Sequence, residues 1–131
     1  MLDKIGHINY WQKSAEEDWI TVQTLFNEKR FLHSLFFAHL TLEKLCKANW
    51  VRCNEENVPP KIHNLIKLIK TTDLDLTIIQ LSFIEMFNDF QIEGRYPDYL
   101  FEVNKICTKE RTNELLEKAK LIKICLQEKL Q

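Results

Sequence analysis

Helix-breaking residues are scarce in this chain, with two glycines and three prolines among 131 residues. Leu, Lys, Glu and Ile are abundant and apolar residues recur at helical spacing, so an all-α domain is predicted. Paired cysteines are missing too. Cys46, Cys53, Cys107 and Cys125 form no CxxC pair, and Cys46 and Cys53, seven apart on one helix face, sit too far apart to bridge. Reduced packing cysteines in a cytoplasmic protein are expected, without a zinc site or other cofactor. No window reaches the about 18 apolar residues that a membrane span requires. The opening MLDKIGHINYW has no apolar run after its charges, so no secretory signal is expected. Charge of one sign is also absent. The formal net charge is −1, which leaves no strong field to draw in nucleic acid, although a local basic patch stays open.

The stretch Arg30 to Arg52, RFLHSLFFAHLTLEKLCKANWVR, contains neither Gly nor Pro. Leu32, Leu35, Phe36, His39, Leu42, Glu43, Cys46 and Trp50 recur at steps of three and four, which lines one side of a helix. Phe37, Leu40 and Val51 widen that stripe, so a central helix contacted on several sides is predicted. His39, Glu43 and Lys47 follow one another at i, i+4, i+8 and form a slanting polar row inside apolar surface. A core helix carrying such a row is the first sign of a site.

A first helix is predicted to start between Ile8 and Trp11 and to end near Lys29, with Trp11, Ala15, Trp19, Val22, Leu25 and Phe26 as its stripe. Asp18 lies within that arc. It either turns to solvent or a neighbouring Lys, or orients a His or Arg from another helix. A short polar break at Asn27 to Arg30 returns the second helix antiparallel. Val58-Pro59-Pro60 forms an extended stop. A short helix carrying Leu65, Ile66, Leu68 and Ile69 follows, capped by His63 or Asn64; His63 also stands where it can face a pocket. Asp73 or Asp75 is the expected cap of the next helix, Leu76 to Phe90. Ile79, Phe83, Met86, Phe87 and Phe90 share one of its faces, while Ile78, Leu81 and Ile84 make the opposite side apolar, which predicts a self-association surface. Gln91 to Thr108 reads as the longest irregular segment. Within it Gly94 permits a turn and Pro97 forces Tyr96 to be extended, so Arg95, Tyr96 and Asp98 project from a stiff corner. Arg95 either pairs with Asp98 or a helix end, or holds an anion beside a stacking Tyr96. The last helix is predicted over Lys109 to Lys129, with Thr108 as its N-cap.

Taken in order, Trp11-x3-Ala15-x2-Asp18, Ser34 to His39, Leu42-Glu43-Lys44-x2-Lys47-Ala48, Pro60-x2-His63-Asn64-Leu65 and Arg95-Tyr96-Pro97-Asp98 resemble the HEPN domain (higher eukaryotes and prokaryotes nucleotide-binding). The likeness spans nearly the whole chain, as a single domain over 1–131. It implies an up-and-down bundle of four long helices plus a short one, usually a homodimer. It also implies a partner, a minimal nucleotidyltransferase, in a toxin–antitoxin-like pair.

Many HEPN proteins are metal-independent ribonucleases with Arg, four to six residues, then His. Here no His follows Arg95 at all, and neither Arg30 nor Arg52 has a His at that spacing. The ribonuclease motif is absent, and cleavage needs a group that carries a proton near neutral pH. The expected function is therefore a non-enzymatic module that binds a nucleotide or its partner. Its site would be lined by His39, Glu43, Lys47, His63, Arg95, Tyr96 and Asp98. In that site Lys47 and Arg95 would meet phosphate, Tyr96 would stack or hydrogen-bond a base, and His39 and His63 would give polar contacts. Tyr96 or Tyr99 is an alternative target for modification by the partner. Two other functions stay open: a ribonuclease with a relocated His brought beside Arg95 by the fold, and a structural helical dimer.

Overall fold

The computed structural model describes residues 2–130. Six α-helices make up the fold: α1 (Lys4–Asn27), α2 (Phe31–Cys53), α3 (Leu65–Ile69), α4 (Ile78–Phe87), α5 (Pro97–Lys105) and α6 (Lys109–Gln127). Asn88–Phe90 extends α4 and Glu128–Leu130 extends α6 as 3₁₀ turns. No strand occurs among the described residues.

The central helix is α2, where fifteen of 23 residues are buried. Around it pack Ala15 and Val22 of α1, Leu65 and Leu68 of α3, Ile84 and Phe87 of α4, and Leu115, Ala119 and Leu126 of α6. Truncating a fully buried member such as Leu42 to Ala costs about 2–5 kcal/mol by transfer and cavity terms. Two polar contacts fix α1 against α2. Ser34 Oγ donates to the Val22 carbonyl at 2.9 Å, and Lys44 pairs with Asp18 at 2.7 Å. Asp18 thus takes the neighbouring-Lys alternative. At the far end Lys4 Nζ donates to the carbonyls of Val51 and Asn54 at 2.8 and 2.7 Å, satisfying α2 where its carbonyls run out of helical partners. Start of α1 beside end of α2 makes the pair antiparallel. Asn49 Nδ2 donates to the Leu126 carbonyl at 2.9 Å, which sets α6 alongside α2 in the same direction.

Local chemistry places the helix ends. Asp3 accepts from the Gly6 N–H at 2.7 Å, so α1 begins four residues before the earliest predicted start. Thr77 and Gln80 form a reciprocal capping box at α4, displacing the predicted Asp73 or Asp75 cap. Asp73 instead meets Arg52 at 2.6 Å and Lys129 at 3.7 Å. Thr108 caps α6 as predicted, and Asn64, rather than His63, caps α3. Lys29, in the α1–α2 turn, has φ 61°, a left-handed conformation costly for any residue with a Cβ.

One segment departs from the sequence reading. Gln91 to Thr108 is not irregular throughout, because Pro97 starts α5 at its first helical position, where a missing N–H is no loss. Tyr96 is extended (φ −77°, ψ 159°), as a residue before proline must be. No residue of α5 is buried. On α4 the inward residues are Ile84 and Phe87, while Ile78 and Ile79 are 83% and 82% exposed. Ile79 shares an apolar groove with exposed Leu121 of α6.

Candidate functional site

Glu43 sits at the centre of the polar row. Its Oε1 lies 2.9 Å from His63 Nδ1 and its Oε2 3.0 Å from Lys47 Nζ. His39 Nδ1 is 3.9 Å from Oε1. His39 is fully buried and neither ring nitrogen has a hydrogen-bond partner among the described residues. Burial holds its pKa below the usual imidazole range, against the opposing pull of Glu43. Burial, with Glu43 adding to it, likewise pushes the Cys46 thiol far up, which leaves that sulfur an inert packing group.

The segment leading into α3, the 3₁₀ turn and the Gly94 corner border a small open cavity of about 140 Å³ lined by His63, Asn64, Asn88, Gln91 and Arg95. Gly94 adopts φ +74°, so any side chain there strains the backbone. Arg95 Nε donates to the Gln91 carbonyl at 3.2 Å, and its guanidinium carbon lies 4.4 Å from the centre of the Tyr99 ring. Tyr99 in turn donates its hydroxyl to the Asp89 carbonyl at 2.6 Å. Burial raises the Tyr99 pKa, with Arg95 opposing, so the hydroxyl stays protonated as that donor.

The seven residues singled out from sequence therefore separate. Glu43 and His63 touch, and His63 and Arg95 line one cavity. Lys47 lies on the other side of Glu43, 5.3 Å from the Trp11 ring of α1, and does not line the cavity. His39 stays behind Glu43 in the core. Tyr96 is 83% exposed and Asp98 is exposed in the first turn of α5; neither reaches the cavity wall. Arg95 forms no ion pair with Asp98 or any other described carboxylate. The Arg–Tyr stack exists, but with Tyr99. Arg95 lies just before α5, and the first turn of that helix, started at Pro97, brings Tyr99 against it. Asn88 and Gln91 carried no signal in the sequence. Among the described residues no group of three His, Cys, Asp or Glu is placed to hold a metal ion.

Residues 8–129 match the model of the HEPN domain family. The chain belongs to the HEPN family. No curated protein and no solved structure matches it. In this HEPN domain the last histidine in sequence is His63, and the fold sets it on the same cavity as Arg95 although it precedes Arg95 by about a quarter of the chain.

Proposed function

We propose that this HEPN domain is a binding module for phosphate-bearing ligands, nucleotide or RNA, that works as a homodimer in the cytoplasm beside a minimal nucleotidyltransferase. The observation that carries the reading is the pairing of an unneutralised Arg95 with His63 on one polar cavity. A guanidinium without a carboxylate partner is a phosphate-recognition group. The charge of Glu43 does not cancel it, because Lys47 already balances that carboxylate at 3.0 Å.

Self-association is supported by the α4–α6 face. Ile79, Phe83, Met86 and Leu121 line an apolar groove there of about 430 Å³, and Ile79 and Leu121 are exposed. Contiguous apolar surface of this kind marks an interface. The four cysteines are unpaired, which suits a reducing compartment, and no described helix is long and apolar enough to cross a membrane. Of the two candidate acceptors for modification by the partner, exposed Tyr96 is the better placed, since the Tyr99 hydroxyl is already engaged.

Titration calorimetry with ATP and with a short single-stranded RNA tests the reading. Saturable binding that the Arg95→Ala variant loses supports it; no binding at millimolar ligand defeats it. A second reading, a ribonuclease with His63 as its relocated histidine, is favoured by one contact. Glu43 holds His63 Nδ1 at 2.9 Å, the arrangement that orients an acid–base imidazole. RNA cleavage abolished by His63→Gln would establish it.

A further inference from the structure

We propose that the cavity between His63 and Arg95 recognises a single phosphate group and is indifferent to the base or sugar attached to it. The inference rests on the phosphate-binding reading and narrows it to a chemical class. Size comes first. Pockets that enclose a whole small-molecule ligand have about 300–1,000 Å³, whereas this one has 140 Å³. An oxyanion fits; a nucleoside does not.

The lining points the same way. No aliphatic, Phe, Tyr or Trp side chain contributes to the wall; its one ring, the His63 imidazole, is engaged at Nδ1 by Glu43, so a base finds little surface on which to stack. The nearby ring of Tyr99 is already covered on one face by the Arg95 guanidinium at 4.4 Å.

Three carboxamides then decide the polarity. Asn64 Oδ1 accepts from the Lys67 N–H at 3.2 Å, Asn88 Oδ1 from the Leu65 N–H at 3.0 Å, and Gln91 Oε1 from the Glu93 N–H at 2.8 Å. Each amide oxygen is committed to a backbone donor, which fixes the orientation of the group. The NH₂ groups of Asn64 and Gln91 are left without a partner among the described residues, and that of Asn88 makes one long contact, 3.5 Å to Asn64 Oδ1. Arg95 is likewise committed through Nε alone, to the Gln91 carbonyl, so both Nη groups stay free to donate. Glu43 occupies Nδ1 of His63, leaving Nε2, a further donor when the ring is charged. A small cavity whose free groups are nearly all donors, three of them on cationic or ionisable side chains, complements an anion with acceptors on every side. Tyr99 is a positioning residue: its hydroxyl bond to Asp89 at 2.6 Å holds the ring that holds Arg95.

The test is calorimetric titration of the full chain with ATP, UTP, inorganic tripolyphosphate and adenosine, in wild type and in Asn88→Asp. Aspartate keeps the acceptor for the Leu65 N–H, so the fold is retained, but places a carboxylate oxygen where the NH₂ was. Circular dichroism and the melting temperature verify that. The expected result is that ATP, UTP and tripolyphosphate bind within about threefold of one another, that adenosine does not bind, and that Asn88→Asp weakens all three by about tenfold or more. Tyr99→Leu weakens them in parallel, while Tyr99→Phe, which keeps the stack, weakens them less. ATP binding with tripolyphosphate or UTP silent overturns the inference and leaves the phosphate-ligand reading standing. Unchanged affinity in Asn88→Asp overturns it as well. Silence from every ligand removes both.

Discussion

Glu43 Oε1 lies 2.9 Å from His63 Nδ1, and this contact bridges twenty residues of sequence. It joins the middle of the most buried helix to a side chain that is 51% exposed. The same carboxylate holds Lys47, so a buried charge pair stands directly behind a solvent-facing imidazole.

Removing one half of that pair should cost more than removing both. Glu43→Gln leaves Lys47 charged among apolar neighbours, and a loss of about 3 kcal/mol is expected. Adding Lys47→Met should return most of it, because no buried charge is then left unpaired. Urea denaturation of the two single variants and the double variant measures the coupling. Additive losses would show that the pair is solvated.

His39 predicts a pH dependence. Its folded pKa lies below the ordinary 6.5, so the unfolded chain binds the proton more readily. The stability that neutral His39 contributes is fully present above pH 6.5 and is lost progressively as pH falls below that value toward the folded pKa. His39→Leu should flatten this slope by up to about 1.4 kcal/mol per pH unit. At pH 7.5 the variant should lie within about 1 kcal/mol of wild type, since neither ring nitrogen makes a well-formed hydrogen bond, although the Asn88 side chain and the His63 backbone stand close to the ring. Chemical denaturation at pH 7.5, 6.5 and 5.5 reads both effects.

Lys29 should be improved by the residue that helices favour at their ends. With φ at 61°, Lys29→Gly is expected to stabilise by about 0.5–1 kcal/mol despite the greater freedom of glycine in the unfolded chain. Thermal unfolding monitored at 222 nm by circular dichroism checks it; a lower melting temperature would mean that the turn carries no strain.

The apolar α4–α6 face can be tested without disturbing the core. Ile79 and Leu121 are 82% and 68% exposed, so Ile79→Lys with Leu121→Lys should leave helicity intact and convert a dimer to a monomer. Sedimentation analysis of both proteins decides. A wild-type chain that is monomeric at high concentration would end the homodimer proposal.

The sequence pattern located most of the architecture because α1, α2 and α6 are long enough for apolar periodicity to dominate. It located Glu43 and Lys47 for the same reason: polar side chains inside a broad apolar stripe stand out. It missed α5 because Gly94 and Pro97 at its start are loop signals that outweighed the short apolar pattern of nine residues. That omission hid the Arg95–Tyr99 stack, which forms only because α5 begins directly after the corner. Asn88 and Gln91 were out of reach for another reason. Their role depends on which amide atom each turns to a backbone N–H, and residue identity alone does not encode that orientation. The convergence of His63 with Arg95 is tertiary, set by how α3 and the 3₁₀ turn pack on α2.

The thin anchoring of α5 also has a kinetic meaning. Backbone amides of α2 are covered on all sides and exchange with deuterium only when the whole domain unfolds. Those of α5 lie in a helix that buries no residue and is pinned near its start by Tyr99, so local opening releases them long before. Exchange along this one chain should thus span the range from global stability down to near zero. Occupation of the neighbouring cavity would then be written in α5 as slowed exchange, a built-in reporter requiring no label.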